Sequence, residues 1–170
     1  MNRRWKGLAG ILLGAALLTA AVPVAGMDPL LLRGPNPLIG KPLADFEIHD
    51  IEGKKKTFSA MRGDNRVIMI FWATWCPHCR TQLDVIRRNH QKLIDSGVTM
   101  MLVNVGESRD QARAYLVNAG LPLKEGYLDQ DGSVSNKLGI NGLPTYIFVD
   151  ENDVVAAVQH QLPQTLSEVY

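Results

Sequence analysis

Cysteine is the scarcest reactive residue in this sequence, and the two signs of charge nearly balance. Only two cysteines occur among 170 residues, and the formal net charge is +1. Recognition of nucleic acid needs a concentrated basic face, which this charge balance does not provide. A four-cysteine zinc site is excluded by number, and His49, His90 and His160 are scattered without the spacing of metal ligands. The sequence therefore predicts neither a nucleic-acid partner nor a bound metal.

The two cysteines, Cys76 and Cys79, are separated by only two residues. A disulfide between them would close so short a loop that it would constrain the unfolded chain very little, so stapling of the fold is a poor explanation. Covalent haem attachment needs histidine directly after the second cysteine, where Arg80 stands. The pair is therefore interpreted as a redox-active dithiol that needs no cofactor besides its own disulfide.

The N-terminus combines a basic cluster with a long apolar segment. Arg3, Arg4 and Lys6 precede residues 7–27, which carry no charge. That order is typical of an export signal, and about 20 apolar residues are enough to span a bilayer. We expect residues 1–27 to be a signal peptide or an uncleaved signal anchor, which places the rest in the periplasm or at the outer face of the cell membrane.

Composition and apolar patterning divide the remaining chain. Residues 28–41 are rich in proline and glycine and are predicted to be a linker, followed by one domain over 42–170. The run Val67 to Trp72 is apolar at every position, which predicts a central strand buried on both faces. From Pro77 onward, apolar residues recur at helical spacing as far as Gly97, so a helix is predicted to begin at the dithiol.

The other predicted elements complete an α/β layer with a mixed sheet. They are a strand, a turn and a short returning strand over 46–58, a strand over 98–105, a helix over 108–118, strands over 145–149 and 154–159 joined by a tight turn, and a short helix after 165.

The helix start predicts different roles for the two thiols. Unpaired N–H groups and the helix dipole lower the pKa of a thiol at that end, so Cys76 is predicted to be the exposed, attacking thiolate. Cys79 lies one turn further along the same face and is predicted to resolve the mixed disulfide. Pro77 suits the first helical position because its missing N–H loses no partner. His78 is predicted to tune the Cys76 sulfur by hydrogen bonding or charge, the alternative being that it only points to solvent.

Two further features border the dithiol in the predicted arrangement. Trp75 is a candidate for the substrate surface, with core packing as the alternative. Pro144 stands immediately before a predicted strand, where it cannot donate to the ladder, and a cis peptide bond is one way to turn the chain sharply there.

Three motifs in order resemble the thioredoxin superfamily, and more closely its exported TlpA/ResA/CcmG branch of thiol-disulfide oxidoreductases. They are Phe-Trp-Ala-Thr-Trp-Cys-Pro-His-Cys over 71–79, Val-Asn-Val-Gly-Glu-Ser over 103–108 and Leu-Pro-Thr over 143–145. The resemblance extends from about residue 39 to about residue 158. It implies a thioredoxin fold, in which helices flank a mixed central sheet and an N-terminal β-hairpin extends it.

The same resemblance implies how the site works. Cys76 would be the nucleophile and Cys79 the resolving thiol, with Pro144 in cis facing them and with Leu143 and Thr145 bordering the substrate groove. Members of this branch reduce disulfides in apocytochrome c during haem attachment, or keep other exported thiols reduced, with electrons from a membrane-embedded thiol reductase. The implied partners are therefore exported cysteine-containing proteins and such a reductase.

Three departures from the branch leave the direction of electron flow open. Pro77 and His78 give the Cys-Pro-His-Cys order of the DsbA oxidases, so a DsbA-like oxidase or isomerase is the alternative to a reductant. Ile70 stands where thioredoxins place a buried acid, and Gln82 replaces an acid found in several members. Glu107 is a candidate proton carrier in their place, although a solvated loop acid is the simpler interpretation.

Two other classes of protein fit the sequence less well. A thiol peroxidase needs a threonine a few residues before its reactive cysteine in a different loop, and Thr74 lies too close for that work. A non-enzymatic binding module would use the groove near Pro144 and keep the dithiol incidentally.

Overall fold

The sheet is built around one strand that is buried at all but its first residue. The computed structural model describes residues 36–170, and its central strand β3 spans Arg66–Trp72. Every residue from Val67 to Trp72 has no exposed surface, as the unbroken apolar run predicts. β3 pairs in parallel with β4 (Val98–Val105) and antiparallel with β6 (Thr145–Val149), so the sheet is mixed, as expected.

Four further strands, four helices and two short 3-10 turns complete the described chain. They are β1 (Glu47–Asp50), β2 (Lys55–Thr57), α1 (Phe58–Arg62), α2 (Pro77–Asp95), α3 (Arg109–Asn118), a 3-10 turn (Leu123–Glu125), β5 (Gly126–Asp129), α4 (Ser133–Lys137), β7 (Val155–Gln159) and a second 3-10 turn (Leu166–Glu168). The order across the sheet is β2-β1-β5-β4-β3-β6-β7. This is a thioredoxin-like fold with the predicted N-terminal β-hairpin.

The two faces of β3 pack against different layers, because successive side chains of a strand point to opposite sides. Ile68 and Ile70 pack in the cluster that contains both cysteines and the buried side of α2 and α3. Met69 and Phe71 pack in a second cluster with residues of α1 and α4. The dithiol therefore belongs to one of two well-filled core layers.

The sequence interpretation missed α1, α4 and β5, and it expected a C-terminal helix where only a 3-10 turn forms. β5 lies between β1 and β4, and it joins the hairpin to the rest of the sheet. It has only four residues and begins with glycine, so its apolar pattern is too short to identify a strand. Its pairing with neighbours distant in sequence defines it instead.

The predicted signal or anchor over 1–27 and most of the predicted linker lie outside the described residues. At the end of that linker, the Gly40 N–H donates to the Val155 carbonyl, and the Val155 N–H donates to the Lys41 carbonyl. Residues 40 and 41 therefore lie against β7. Among residues 36–170, no helix has both the length and the apolar character required to cross a membrane.

Gly126 marks a close approach between β5 and the elements around it. A Cβ atom there would lie 2.7 Å from Leu116 Cδ1, 3.2 Å from the Leu123 carbonyl oxygen and 3.3 Å from Ile51 Cβ. A side chain at this position would therefore require Leu116 of α3 and the adjacent Leu123 and Ile51 to shift.

Gly126→Ala is expected to lower the free energy of unfolding by about 1–3 kcal/mol, because the added methyl group overpacks this contact. Urea denaturation of the purified protein measures the change. Gly142→Ala is the matched control, since nothing lies within 4 Å of a Cβ at Gly142, and it should change stability by less than about 0.5 kcal/mol. Equal losses in the two variants would contradict the close packing at Gly126.

Candidate active site

The reactive pair lies where β3 passes into α2. Cys76 is the N-cap residue of α2, with extended backbone angles, and its sulfur accepts a hydrogen bond from the Cys79 N–H at 3.2 Å. Pro77 occupies the first helical turn, as predicted. Cys76 and Cys79 form a disulfide, and their Cα atoms are 5.2 Å apart. A helix end therefore directs a backbone donor at the sulfur nearest the turn.

The two sulfurs differ in exposure less than the sequence suggested. Cys76 was expected to be exposed, but only 4% of its surface is accessible, and Cys79 has none. That expectation is wrong because Cys76 packs in the same apolar cluster as Trp72 and Leu83, where Leu143 also packs. Cys76 is nevertheless the more accessible member of the pair.

The two tryptophans beside the dithiol have opposite environments. Trp72 is fully buried, with its ring centroid 5.2 Å from that of Tyr115. Trp75, directly before Cys76, is 69% exposed. Core packing, the alternative considered for Trp75, is therefore not its role.

Glu107 holds the turn that precedes the cysteines. It follows β4, and its carboxylate accepts hydrogen bonds from the backbone N–H and the hydroxyl of Thr74. The Asn104 amide donates a third hydrogen bond at 2.7 Å. Glu107 is only 8% exposed, so the interpretation as a solvated loop acid is wrong. Burial arises because the loop after β4 folds against the loop after β3, which no local sequence pattern reveals.

The Leu143–Pro144 segment faces the dithiol. The peptide bond between these residues is cis, as the resemblance implied, and the Leu143 carbonyl oxygen lies 3.7 Å from Cys76 Sγ. Because the oxidised sulfur carries no hydrogen, this distance is a contact rather than a hydrogen bond. Thr145 begins β6 and is buried, and its hydroxyl donates to the Gly142 carbonyl at 2.7 Å.

Ile70 and Gln82 place neutral side chains at the two positions where the resemblance implied acids. Ile70 has no exposed surface and packs in the cluster of the cysteines. The side-chain oxygen of Gln82 accepts hydrogen bonds from the Tyr146 hydroxyl at 3.1 Å and the Leu162 N–H at 3.0 Å. Burial raises the pKa of Tyr146, so its hydroxyl remains a donor. Gln82 therefore fastens α2 to β6 and to the segment after β7.

A cavity of about 290 Å³ opens beside this network. Its walls include His78, Leu143, Pro144 and His160. The side chain of His78 borders this cavity and is otherwise exposed to solvent. Sequence reasoning did not select His160, because it is remote from every motif in the chain, yet its ring nitrogen Nδ1 lies 2.8 Å from the Pro144 carbonyl oxygen.

Comparison with known proteins identifies the family. The sequence model of the AhpC/TSA family matches residues 39–158. The chain belongs to the AhpC/TSA family.

Within residues 36–170, no cluster of three or more histidine, cysteine or acidic side chains is arranged to hold a metal ion.

The relatives of this AhpC/TSA protein include a thiol:disulfide interchange protein and a thiol-disulfide oxidoreductase, to which the chain is compared in turn. It is 31% identical over 156 residues to the thiol:disulfide interchange protein DsbE of Pseudomonas fluorescens biotype C, covering 90% of this chain and 83% of that protein. It is 28% identical over 120 residues to the thiol-disulfide oxidoreductase ResA of Geobacillus thermodenitrificans, covering 71% of this chain and 68% of the relative.

Among solved structures, it is similar to a secreted Mycobacterium tuberculosis disulfide oxidoreductase homologous to E. coli DsbE. That similarity has a TM-score of 0.60 at 15% identity, over 71% of this chain and 85% of the other, and it supports the fold alone. The sequence relatives and the Cys76–Cys79 pair together make this AhpC/TSA protein a DsbE/ResA-like thiol-disulfide oxidoreductase.

Glu107 and Thr74 are expected to be coupled in their contributions to the free energy of unfolding. Glu107→Gln and Thr74→Val should each lower stability by about 1–2 kcal/mol, because each leaves a buried polar group without its partner. The double variant should cost about 1 kcal/mol less than the sum of the single variants. Urea denaturation of all four oxidised proteins measures this coupling.

Glu47→Gln provides the control for loss of a carboxylate. Glu47 pairs with Lys55 at 2.6 Å on the surface, where both side chains are more than half exposed, so the change should be below about 0.5 kcal/mol. If the stability losses of the Glu107 and Thr74 variants simply added in the double variant, the two residues would not be coupled, and this would contradict the predicted role of their hydrogen bonds.

Proposed function

We propose that this protein reduces disulfides in exported proteins, apocytochrome c among them, and that it acts in the periplasm or at the outer face of the cell membrane. The observation that carries the proposal is the Cys76 sulfur, which caps α2 and lies beside the Leu143 carbonyl. The names of the DsbE and ResA relatives support the class of reaction. The basic cluster and uncharged segment over residues 3–27 support export.

The proposed reaction has two exchange steps. The Cys76 thiolate attacks one sulfur of the substrate disulfide, which forms a mixed disulfide and releases the other substrate sulfur as a thiolate that takes up a proton. The Cys79 thiolate then attacks Cys76 Sγ, which forms the Cys76–Cys79 disulfide and releases the second substrate sulfur as a thiolate that also takes up a proton. The two protons gained by the substrate balance those lost by the Cys76 and Cys79 thiols. Two electrons pass to the substrate, and a membrane-embedded thiol reductase would restore the dithiol.

Helix capping supports Cys76 as the attacking group. In the disulfide form the Cys79 N–H already donates to Cys76 Sγ. On reduction the same donor would meet a thiolate, and hydrogen bonds to a charged acceptor are stronger than those to a neutral one. Pro77 has no N–H, but a donor at the first helical position would have no partner within the helix, so the proline costs no helical hydrogen bond while the Cys79 N–H is directed at the sulfur.

The edge formed by Leu143 is the proposed site of substrate pairing. Within residues 36–170, the Leu143 N–H has no hydrogen-bond acceptor, and its carbonyl lies 3.7 Å from Cys76 Sγ. An extended substrate segment would use both groups, as in strand addition at a sheet edge. Thr145 would border the same groove, and the exposed Trp75 would contact the substrate beside Cys76.

Proton transfer is proposed for Glu107, the role that the sequence offered as the alternative to a solvated loop acid. Its carboxylate is hydrogen-bonded to Thr74, two residues before Cys76, so it belongs to the turn that carries the reactive sulfur. Ile70, which is apolar, cannot take this part.

Trapping variants test the order of attack. Cys79→Ser should accumulate a mixed disulfide through Cys76 when incubated with a peptide that contains an oxidised Cys-X-X-Cys pair, because the resolving thiol is absent. Cys76→Ser should not, because the remaining sulfur is fully buried. Non-reducing electrophoresis and mass spectrometry identify the adduct. Equal trapping by both variants would contradict Cys76 as the nucleophile.

The redox equilibrium with glutathione tests the direction of electron flow. We expect the reduction potential to be nearer that of thioredoxin, about −270 mV, than that of DsbA, about −120 mV. His78→Ala should lower it further by about 30 mV, a tenfold change in the equilibrium constant, because a group that stabilises the thiolate is removed. The fraction oxidised at defined glutathione ratios gives both values.

One observation favours the alternative of a DsbA-like oxidase or isomerase, namely the Cys-Pro-His-Cys sequence with neutral residues at positions 70 and 82. A reduction potential near the DsbA value would contradict the proposal that the protein is a reductant and would support this alternative. An unchanged potential in His78→Ala would remove the tuning role from His78.

A further inference from the structure

The segment that leaves β7 passes beside the reactive centre. His160 follows the last residue of β7, and its Nδ1 lies 2.8 Å from the Pro144 carbonyl oxygen. Because a carbonyl only accepts, Nδ1 carries the hydrogen and donates it. This contact fixes which nitrogen of the imidazole is protonated and directs one side of the ring at the Leu143–Pro144 segment.

A second contact holds the same segment to the dithiol helix. The Leu162 N–H donates at 3.0 Å to the side-chain oxygen of Gln82, which also accepts from the Tyr146 hydroxyl. The two contacts lie two residues apart along the chain. The segment after β7 therefore fastens the Pro144 loop on one side and α2 on the other.

The Pro144 carbonyl depends on His160 for its partner. Pro144 is buried and precedes the first residue of β6, and within residues 36–170 the imidazole N–H is the hydrogen-bond donor found at its oxygen. A buried carbonyl without a partner is unfavourable, so loss of this donor would favour rotation of the peptide toward another partner. Such a rotation would move the adjacent Leu143 groups, which face Cys76 Sγ.

The ring of His160 also reaches the side that a substrate would enter. It lines the cavity of about 290 Å³ together with His78, Gln82 and Leu143. This volume is just below the usual range for a complete small-molecule site, and it suits one side chain of a polypeptide. His160 therefore contacts the Pro144 carbonyl and also borders the space between His78 and Leu143.

We propose that His160 is a positioning residue for polypeptide substrates. Its Nδ1–H holds the Pro144 carbonyl, and through it the Leu143 N–H and carbonyl are presented to the substrate backbone beside Cys76. The effect is selective binding of polypeptide disulfides over small disulfides that have no backbone. This inference rests on the proposed thiol-disulfide exchange, but not on its direction.

The test compares two substrates with the whole, reduced protein. One is a peptide with an intramolecular disulfide, and the other is 2-hydroxyethyl disulfide, which has no peptide group. His160→Phe should raise KM for the peptide about fivefold, close to 1 kcal/mol, with kcat nearly unchanged. The rate with 2-hydroxyethyl disulfide should stay within twofold.

Two conservative variants separate the hydrogen bond from the ring. The amide nitrogen of His160→Asn reaches the position of Nδ1, so KM for the peptide should return to within twofold of the parent protein. The longer side chain of His160→Gln mimics Nε2 instead and should resemble His160→Phe. If His160→Phe fails to fold, the contrast between the asparagine and glutamine variants still decides the matter.

His49→Phe is the control, because His49 is exposed on β1 at the opposite side of the sheet from β7. An unchanged KM in His160→Phe, an equal loss with both substrates, or equal behaviour of the asparagine and glutamine variants would overturn the positioning role. Failure of the parent protein to react with either disulfide would instead refute the proposed exchange function.

Discussion

The hydrogen bond from the Cys79 N–H to the Cys76 sulfur is the interaction on which the site depends. It exists because β3, which is buried from Val67 onward, ends close to where a helix of 19 residues begins, so the helix axis is fixed by the sheet beneath it. Pro77 suits the first helical position because its missing N–H would have had no partner within the helix. The chemistry of the sulfur is therefore a property of the β3–α2 junction, and changes in core packing that tilt α2 would alter it.

Sheet topology explains why sequence-distant residues meet this sulfur. β4 runs parallel to β3, so the loop after β4, with Glu107, emerges at the same edge as Cys76. β6 is antiparallel to β3, so its beginning, at Pro144, lies at that edge too. β7 is antiparallel to β6, so its end, at His160, returns there. Three strands thus bring a carboxylate, a proline turn and an imidazole to one reactive turn.

The sequence predicted the elements with a strong local signal. β3 and α2 follow from an unbroken apolar run and a long helical repeat, and Cys76 at the helix start follows from both. β5 escaped prediction because four residues carry no periodicity. The burial of Glu107 and the contact of His160 with the Pro144 carbonyl escaped for a related reason. Both depend on which loops share a sheet edge, and that is fixed by strand order rather than by neighbouring residues.

Neutral groups around the dithiol bear on the direction of electron flow. A carboxylate at position 70 or 82 would repel the Cys76 thiolate and favour the disulfide, whereas Ile70 and Gln82 introduce no such charge. Gln82 keeps the two hydrogen bonds that a carboxylate would accept, so the fold retains its anchor without the repulsion. For a two-electron couple, about 30 mV corresponds to about 1.4 kcal/mol, which is comparable to one hydrogen bond to a thiolate. The interval between the thioredoxin and DsbA potentials corresponds to about five such changes, so several small changes in one geometry can together move such a protein between reductant and oxidant.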